Sequence, residues 1–224
     1  MKLKQQKLLY PCFCSRADLH AAQAPHASDG AYVYAGTCRD LSKSEREELS
    51  KHKIPATRIR VPNKTYAFED KVYGQTSQNL AESCGDFIVQ RADEVFAYQL
   101  AVVVDDADMG ITEVVRGSDL LSSTPRQLYL QDVLGLSHPI YAHLPLLVAP
   151  DGRRLSKRNH DLDLGVLRDQ GKTPEEILGF LAYCIGLAEK EEPLSAVQVA
   201  NRFSWDVLRA HRKNVVVEHF SHVL

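Results

Sequence analysis

Three cysteines and one tyrosine stand in two short, turn-rich segments near the start of the sequence. Cys12 and Cys14 are separated by one residue, and Cys38 follows Tyr34 by four. Thiolates bind zinc tightly, and a tetrahedral site can close a loop-rich module that buries little surface by itself. Three cysteines need a fourth ligand. The candidates for it are Tyr34, His20, His26 and a water molecule. The alternative is a set of free thiols.

A cationic segment is the second group with chemical potential. The stretch RRLSKR, residues 153–158, follows a Pro-Asp-Gly turn at 150–152. A flexible loop carrying the Lys157 ammonium can close on a triphosphate and neutralise charge that develops at the reacting phosphorus. Composition by itself favours the simpler interpretation, a solvent-exposed charged loop.

Local patterns predict the elements that position these groups. Capping boxes at 42–45 and 173–176 predict helices, the first to about Lys51 and the second with a buried apolar stripe. That stripe consists of Ile177, Phe180, Leu181, Cys184 and Ile185. The stretch 86–100 predicts two strands around an Ala-Asp-Glu turn, and 100–106 (LAVVVDD) fits a strand or a helix end. GITEVVRG predicts a strand ending at Gly117, and Thr124-Pro125 opens a helix to about Leu134.

The totals describe an ordinary globular chain. It has 224 residues, 44% hydrophobic and 25% charged, and a net charge of 27 − 29 = −2, so nucleic-acid contacts must come from local basic patches. Five cysteines, an odd number, argue against a disulfide framework. No apolar run approaches the roughly 18–20 residues of a membrane span, and the N-terminal apolar run is too short for a signal peptide. We expect no membrane association and a cytoplasmic location.

The motifs resemble a known family. LVAPDGRRLSKRNHDLDLG, residues 147–165, is similar to the second signature loop of class I aminoacyl-tRNA synthetases in its glutamyl form. The stretch from Asp86 to Gly135 is similar to the glutamyl enzymes along its length, and YPCFCSR and YAGTCR resemble the zinc loops of their short members. The resemblance covers about residues 8–190.

The resemblance implies the following site residues. Tyr98 and Arg116 correspond to positions that hold glutamate, and an Arg at the carboxyl end of a strand can pair with a carboxylate in bidentate fashion. Lys157, with Ser156, corresponds to the catalytic and ATP-binding part of the signature loop. Cys12, Cys14, Tyr34 and Cys38 correspond to the ligands of one structural Zn²⁺, with Tyr34 as the fourth. By residues alone, Tyr98 would be a core aromatic and Arg116 part of a surface ion pair.

The implied reaction is ATP-dependent activation of L-glutamate, with Mg²⁺ accompanying the ATP, followed by transfer to queuosine at the wobble position of tRNA(Asp). The implied fold is α/β. Residues 1–85 form a zinc-binding, acceptor-type insertion, 86–150 the second half of a Rossmann-like nucleotide-binding core, and 151–224 the signature Lys loop with an α-helical region.

One part of the family pattern is missing. The sequence contains no His-Ile-Gly-His signature, which in the family precedes the zinc loops, and it begins within the helix before them. We therefore expect a truncated form that needs a separate N-terminal half or self-associates. The alternatives are a fragment of an ordinary glutamyl-tRNA synthetase, disfavoured because only 66 residues follow Arg158, and a non-catalytic remnant that binds RNA through Arg58, Arg60 and Lys64.

Overall fold

The computed structural model describes residues 2–15, 17–18, 33–155 and 164–217. These residues form two compact units that the chain enters more than once. The first unit holds the described residues up to Glu69, together with 75–114 and 120–140. The second holds 70–74, 115–119 and the described residues from Tyr141 onward.

The first unit is built on a three-stranded antiparallel sheet. Its strands are β1 (Leu9–Cys12), β2 (Ala56–Ile59) and β5 (Phe87–Gln90), in the order β1-β2-β5. Leu9 pairs with Ile59 and Cys12 with Ala56, so β1 delivers Cys12 to one end of the sheet. The register between β2 and β5 shifts between Thr57 and Arg58.

Helices and a second pair of strands complete this unit. They are α1 (Lys2–Gln5), α2 (Lys43–Ser50), β3 (Thr65–Asp70), β4 (Gly74–Asn79), α3 (Leu80–Ser83), α4 (Tyr98–Asp108) and α5 (Thr124–Leu134). The core side chains include Ile59, Leu80, Val89, Val103 and Leu130. The capping box that opens α2 is confirmed: the Glu45 amide donates to the Ser42 hydroxyl, and the Glu45 carboxylate accepts from the Ser42 amide.

The prediction of two strands over 86–100 is wrong in its second half. Phe96 makes only an isolated antiparallel bridge with Gln90, and the helix α4 begins at Tyr98. The apolar run after Leu100, left open between strand and helix, is therefore helical. Val103 is buried while Val104 and Met109 are exposed, so only one side of this helix packs inward. The packing of that one side against the core favours a helix here, a choice between helix and strand that the short apolar run could not settle.

The second unit combines strands and short helices. Its elements are β6 (Glu113–Gly117), a 3₁₀ turn (Ser118–Ser123), β7 (Ile140–Leu144), β8 (Leu147–Val148), α6 (Leu164–Asp169), α7 (Pro174–Cys184), α8 (Ala196–Arg202), α9 (Trp205–Ala210) and β9 (Val215–Val216), the first three shared in part with the first unit. Strands β7 and β6 are neighbours, Asp70 pairs in parallel with Tyr141, and β8 pairs in parallel with β9. The predicted helical region therefore also contains a small sheet.

The apolar stripe of α7 is confirmed. Phe180 is buried together with Leu167 and Val217, and Ile177, Leu181 and Cys184 pack against that cluster. Ile185 packs on a second cluster around Leu194. The strand ending at Gly117, the helix Thr124–Leu134 and the capping box at Thr173 are also as predicted. Among the described residues, no helix is both long and apolar enough to cross a bilayer.

Candidate functional site

The first unit brings all four predicted metal ligands together. The sulfur atoms of Cys12, Cys14 and Cys38 all lie within 4.8 Å of one another, with 3.6 Å between those of Cys14 and Cys38. The Tyr34 hydroxyl oxygen lies 3.6 Å from the Cys12 sulfur and 3.8 Å from the Cys14 sulfur. Of the other candidates for the fourth position, His20 and His26 lie outside the described residues.

These separations fit a tetrahedral zinc ion. Bonds of about 2.3 Å to sulfur and about 2.0 Å to oxygen place neighbouring sulfurs about 3.8 Å apart, and a sulfur about 3.5 Å from the oxygen. Two backbone amides also point at the ligand atoms. The amide of Cys38 donates to the Tyr34 oxygen at 2.7 Å, and that of Phe13 donates to the Cys38 sulfur at 3.4 Å. The donor set can therefore hold a divalent metal.

A glycine fixes the segment that carries Tyr34. Gly85 has φ +62° and forms a bridge with Tyr34, whose amide donates to the Cys84 carbonyl at 3.3 Å. A Cβ atom on residue 85 would lie 2.3 Å from the Tyr34 carbonyl oxygen. Only glycine permits both this left-handed backbone and this approach, so the phenol depends on a residue 51 positions away along the chain.

Arg58 is a part of this site rather than an RNA contact. Its side chain is buried, with only 6% of the residue exposed, which corrects the expectation that it contacts nucleic acid. The guanidinium donates to the Cys12 sulfur at 3.1 Å and to the Asp86 carbonyl at 2.7 Å, and it lies 3.8 Å from the centre of the Tyr34 ring. A permanent positive charge thus stands beside the thiolates.

The titration of the ligands reflects this arrangement. Burial opposes the Cys12 thiolate, but the hydrogen bond and charge of Arg58 outweigh it and lower the pKa of Cys12. Burial, the hydrogen bond with Cys38 and the nearby Cys12 charge raise the pKa of Cys14 to about 12. Burial also raises the pKa of Tyr34. Without a cation among them, these groups disfavour a second negative charge, and a bound metal reverses that preference.

Removal of the Arg58 charge should weaken metal binding. We expect Arg58→Ala to lower zinc affinity by about 10- to 100-fold, since partners of metal ligands commonly contribute that much. Arg58→Lys, which keeps the charge but loses the two-nitrogen contact, should fall in between. Competition with a chromophoric chelator measures the constants. Arg91→Ala is the control, because that exposed arginine of the same unit pairs with Asp93 instead; an equal loss in both variants would contradict the role of Arg58.

Asp86 ties the two metal-binding segments to the sheet. Its buried carboxylate accepts hydrogen bonds from the Tyr10 hydroxyl and the Val61 amide, each at 2.7 Å, and from two nitrogens of Arg39. Tyr10 lies on the strand that leads to Cys12, and Arg39 follows Cys38. Burial raises the pKa of Asp86, but the hydrogen bonds from Arg39, Tyr10 and Val61 more than offset it, and the net pKa is lowered.

Asp86→Asn should destabilise the first unit strongly at neutral pH. Breaking a fully buried ion pair typically costs about 3–5 kcal/mol, and because Arg39 is partly exposed we expect the lower end of that range. Since the pKa of Asp86 is lower in the folded chain, its contribution is complete above the unfolded pKa of about 3.9 and disappears as the pH falls through the folded pKa. The difference in urea unfolding between the two proteins should therefore shrink below about pH 4.

Asp40→Asn provides the matched control for that measurement. Asp40 is largely exposed and also pairs with an arginine, so its loss should cost no more than about 1 kcal/mol. Equal effects of the two substitutions at pH 7 would show that the carboxylate of Asp86 does not organise the unit.

The two predicted glutamate-binding residues lie in different units. Tyr98 is the first residue of α4 in the first unit and is 53% exposed, so it is no core aromatic. Arg116 lies near the carboxyl end of β6 in the second unit, as expected for a ligand-binding arginine. Its Nε donates to His143 Nε2 at 2.9 Å, and its guanidinium lies 5.2 Å from the Tyr141 ring centre.

The start of the cationic loop is a tight turn. The Gly152 amide donates to the Ala149 carbonyl at 2.8 Å, the Ala149 amide donates to the Arg153 carbonyl at 2.9 Å, and Gly152 has φ +79°. Arg153 pairs with Asp151, and Arg154 pairs with Asp119. Ser156 and Lys157 lie outside the described residues, and their assignment stays a prediction.

Sequence reasoning missed the roles of five residues around these sites. Arg58, Gly85 and Asp86 surround the metal ligands, and the buried pair of Asp70 and His143 holds Arg116. No local pattern marks them, because their partners are distant in the chain. A buried arginine beside cysteines leaves no signal in charge composition.

Comparison with known proteins gives a consistent result. Residues 2–221 match the family model of the tRNA synthetases class I (E and Q), catalytic domain. A relative from Symbiobacterium thermophilum named glutamyl-Q tRNA(Asp) synthetase is 46% identical over 219 residues, which are 96% of this chain and 66% of the relative. One from Geobacter sulfurreducens with the same name is 51% identical over 161 residues, 71% of this chain and 49% of the relative.

Solved structures share the fold. A crystal structure of a glutamate tRNA ligase from Elizabethkingia meningosepticum in complex with its amino acid superposes with a TM-score of 0.71 at 22% identity, covering 96% of this chain and 48% of that one. Glutamate-tRNA synthetase from Elizabethkingia anophelis gives 0.73 at 23% identity. The chain spans about half to two thirds of the length of these relatives. Since the family model covers nearly the whole chain, the protein belongs to the class I tRNA synthetases (E and Q), catalytic-domain family.

Proposed function

We propose that this chain has the function of a glutamyl-Q tRNA(Asp) synthetase. The enzyme activates L-glutamate with ATP and transfers it to queuosine at the wobble position of tRNA(Asp). The observation that carries this proposal is the run of relatives with that name at 46–51% identity, spread across up to 96% of the chain. The solved glutamate tRNA ligases, at 22–23% identity, support the fold alone.

Arg116 and Tyr98 hold the glutamate in this proposal. A guanidinium matches a carboxylate in bidentate fashion, and the exposed phenol of Tyr98 is available to a ligand. Lys157, with Ser156, contacts the ATP phosphates, and Mg²⁺ accompanies the nucleotide. The glutamate carboxylate attacks the α-phosphorus, pyrophosphate leaves, and the resulting glutamyl-adenylate then acylates the RNA. The protein contributes mainly by positioning the reactants and neutralising charge.

Cys12, Cys14, Tyr34 and Cys38 hold one structural Zn²⁺. The ion supplies no step of the reaction. It joins the end of β1 to the segment around Cys38, and these two segments also meet in a small cluster of buried side chains that includes Tyr10, Phe13 and Tyr34. Sulfur separations near those of a tetrahedral site support this assignment.

The remaining partners are proposed on the same basis. We propose that a separate N-terminal part or a second copy of the chain contributes to the nucleotide site. Exposed apolar side chains in the first unit, among them Val95, Phe96 and Met109, support such a contact. The cytoplasm, where both tRNA and ATP are present, is the proposed location.

The test is glutamate-dependent exchange of labelled pyrophosphate into ATP. It is run with the chain alone and with the N-terminal part of the Symbiobacterium thermophilum relative added as a second chain, here called the two-part protein. Aspartate and glutamine serve as controls. Labelled glutamate should then pass to tRNA(Asp) containing queuosine and not to tRNA(Asp) with guanosine at that position. No exchange in either form would reject the proposal.

The same assay addresses the alternatives. Transfer to the 3′ end of tRNA(Glu) would identify an ordinary glutamyl-tRNA synthetase. The RNA-binding remnant predicts salt-sensitive tRNA binding without exchange; of its three proposed basic contacts, Arg58 is buried at the metal ligands. No observation among the described residues favours either alternative.

A further inference from the structure

The second unit contains a buried pair of an acid and a histidine. Both side chains of Asp70 and His143 are fully buried, and His143 Nδ1 lies 2.6 Å from an Asp70 carboxylate oxygen. The backbone amide of His143 donates to the same oxygen at 3.1 Å. The other oxygen accepts from the amides of Val72 and Tyr73, each at 2.9 Å. The three backbone amides all donate to this carboxylate, as they would to an ionised group.

These contacts select one form of the imidazole ring. The ionised Asp70 carboxylate only accepts, so Nδ1 carries the proton. Nε2 faces Arg116 Nε at 2.9 Å, and an arginine nitrogen only donates. Nε2 must therefore be the unprotonated acceptor. A doubly protonated ring would direct an N–H at a guanidinium. The two neighbours thus impose the same neutral tautomer from opposite sides of the ring.

The same contacts fix the direction of Arg116. Tyr141 and His143 are two positions apart on β7, so their side chains share one face of the strand. Their rings are nearly parallel, with an interplanar angle of 17° and 6.1 Å between the ring centres. The guanidinium of Arg116 lies over the Tyr141 ring at 5.2 Å while its Nε bonds His143. Since the guanidinium is planar, fixing Nε and one face of the group also fixes where its terminal nitrogens point.

We propose that Asp70 and His143 are positioning residues that hold the Arg116 guanidinium in the orientation that receives a carboxylate of glutamate. This inference rests on the proposed function. Long arginine side chains lose much rotational freedom on binding a ligand, so an arginine that is already oriented binds more tightly. The chain of contacts runs from the Asp70 carboxylate through the imidazole to the substrate-binding arginine, and no member of it other than Arg116 touches glutamate.

Two conservative variants separate positioning from a general structural role. His143→Gln places an amide oxygen at about the reach of Nε2 and keeps an acceptor for Arg116. His143→Asn places an amide N–H at about the reach of Nδ1, keeps the donor to Asp70 and removes the acceptor of Arg116 Nε. We expect glutamate affinity to fall about 10-fold or more in the Asn variant and less than about 3-fold in the Gln variant.

Glutamate affinity is measured by calorimetry on the two-part protein, and the geometry is measured on the chain alone. The ¹⁵N–¹H signal of Arg116 Nε, identified by its absence in Arg116→Lys, reports the bond to His143. It should exchange slowly with water in the wild type and in His143→Gln, and rapidly in His143→Asn. If His143 had only a structural role, the glutamate affinity of each variant would follow its thermal stability, and it would not depend on whether Gln or Asn replaces His143.

Each outcome decides the inference. Wild-type affinity in His143→Asn, or equal losses in both variants, would overturn it. If the wild-type protein binds no glutamate, the proposed function fails and glutamate is ruled out as the ligand; the Nε signal then decides only whether Asp70 and His143 orient Arg116. A slowly exchanging signal in all three proteins would overturn the positioning role, and its selective loss in His143→Asn would support it.

Discussion

Cys38→Ser is expected to lower the zinc affinity of the chain by about 100-fold or more. Structural zinc sites contribute on the order of 10–16 kcal/mol in total, so one of four ligands accounts for about 3 kcal/mol or more. The Cys38 sulfur also accepts a hydrogen bond from the Phe13 amide, and the Cys38 amide donates one to the Tyr34 hydroxyl oxygen. Its replacement therefore disturbs both segments of the site.

Cobalt substitution and metal analysis measure this effect. Cobalt bound to three thiolates gives intense sulfur-to-metal charge-transfer absorption, which should weaken and shift in Cys38→Ser. Cys184→Ser makes the same chemical change in the second unit, where Cys184 packs against Phe180, and should leave zinc content unchanged. Tyr34→Phe should keep the thiolate absorption and lower affinity by a smaller factor. Full zinc retention by Cys38→Ser would refute the site.

The cluster of candidate metal ligands was predictable because its members are of a rare chemical type. Cysteines at short spacing leave few interpretations, and the structure places Cys12, Cys14, Cys38 and Tyr34 together. Its supporting residues were not predictable. Arg58 looks in sequence like any exposed basic residue of a strand, and Asp86 follows a glycine without any pattern. Their roles arise from side-chain hydrogen bonds between residues 28 and 47 positions apart.

The fold shows the same division. Caps gave correct helix starts at Lys43 and Pro174, because a capping box satisfies its hydrogen bonds within four residues. The prediction of a strand after Arg91 was wrong because the β-forming residues there favour a strand locally. The structure instead starts a helix at Tyr98, whose buried side packs Val103 into the core. Tertiary packing overrides local propensity there.

The predicted role of Arg116 came from the family resemblance and not from local sequence patterns. Arg116 near the end of a strand is a sensible carboxylate ligand, but the residue by itself did not distinguish this role from an ion pair. The resemblance favours the carboxylate-binding role, which stays a prediction, and the structure adds His143 and Tyr141 as neighbours of Arg116. The contact between Asp70 and His143 joins positions 73 residues apart, so no sequence window contains both.

Lys157→Ala should slow glutamate-dependent pyrophosphate exchange in the two-part protein by about 100- to 1,000-fold. That is the usual loss when one preorganised charge or donor is removed from a transition state in which charge develops. In phosphoryl transfer the protein supplies little besides position and charge, so an ammonium against the phosphates carries a large share of the effect. Zinc content should stay at the wild-type level, because the metal ligands belong to the first unit.

Arg154→Ala is the matched control for Lys157→Ala. It removes the same unit of charge three positions earlier, from a side chain that pairs with Asp119 within its own unit. Its exchange rate should stay within about 3-fold of wild type, since exposed ion pairs contribute little. Lys157→Arg should recover part of the rate by restoring charge without the compact ammonium. Equal losses in Arg154→Ala and Lys157→Ala would mean that the loop acts only through its total charge, and the assignment of the phosphate contact to Lys157 would be wrong.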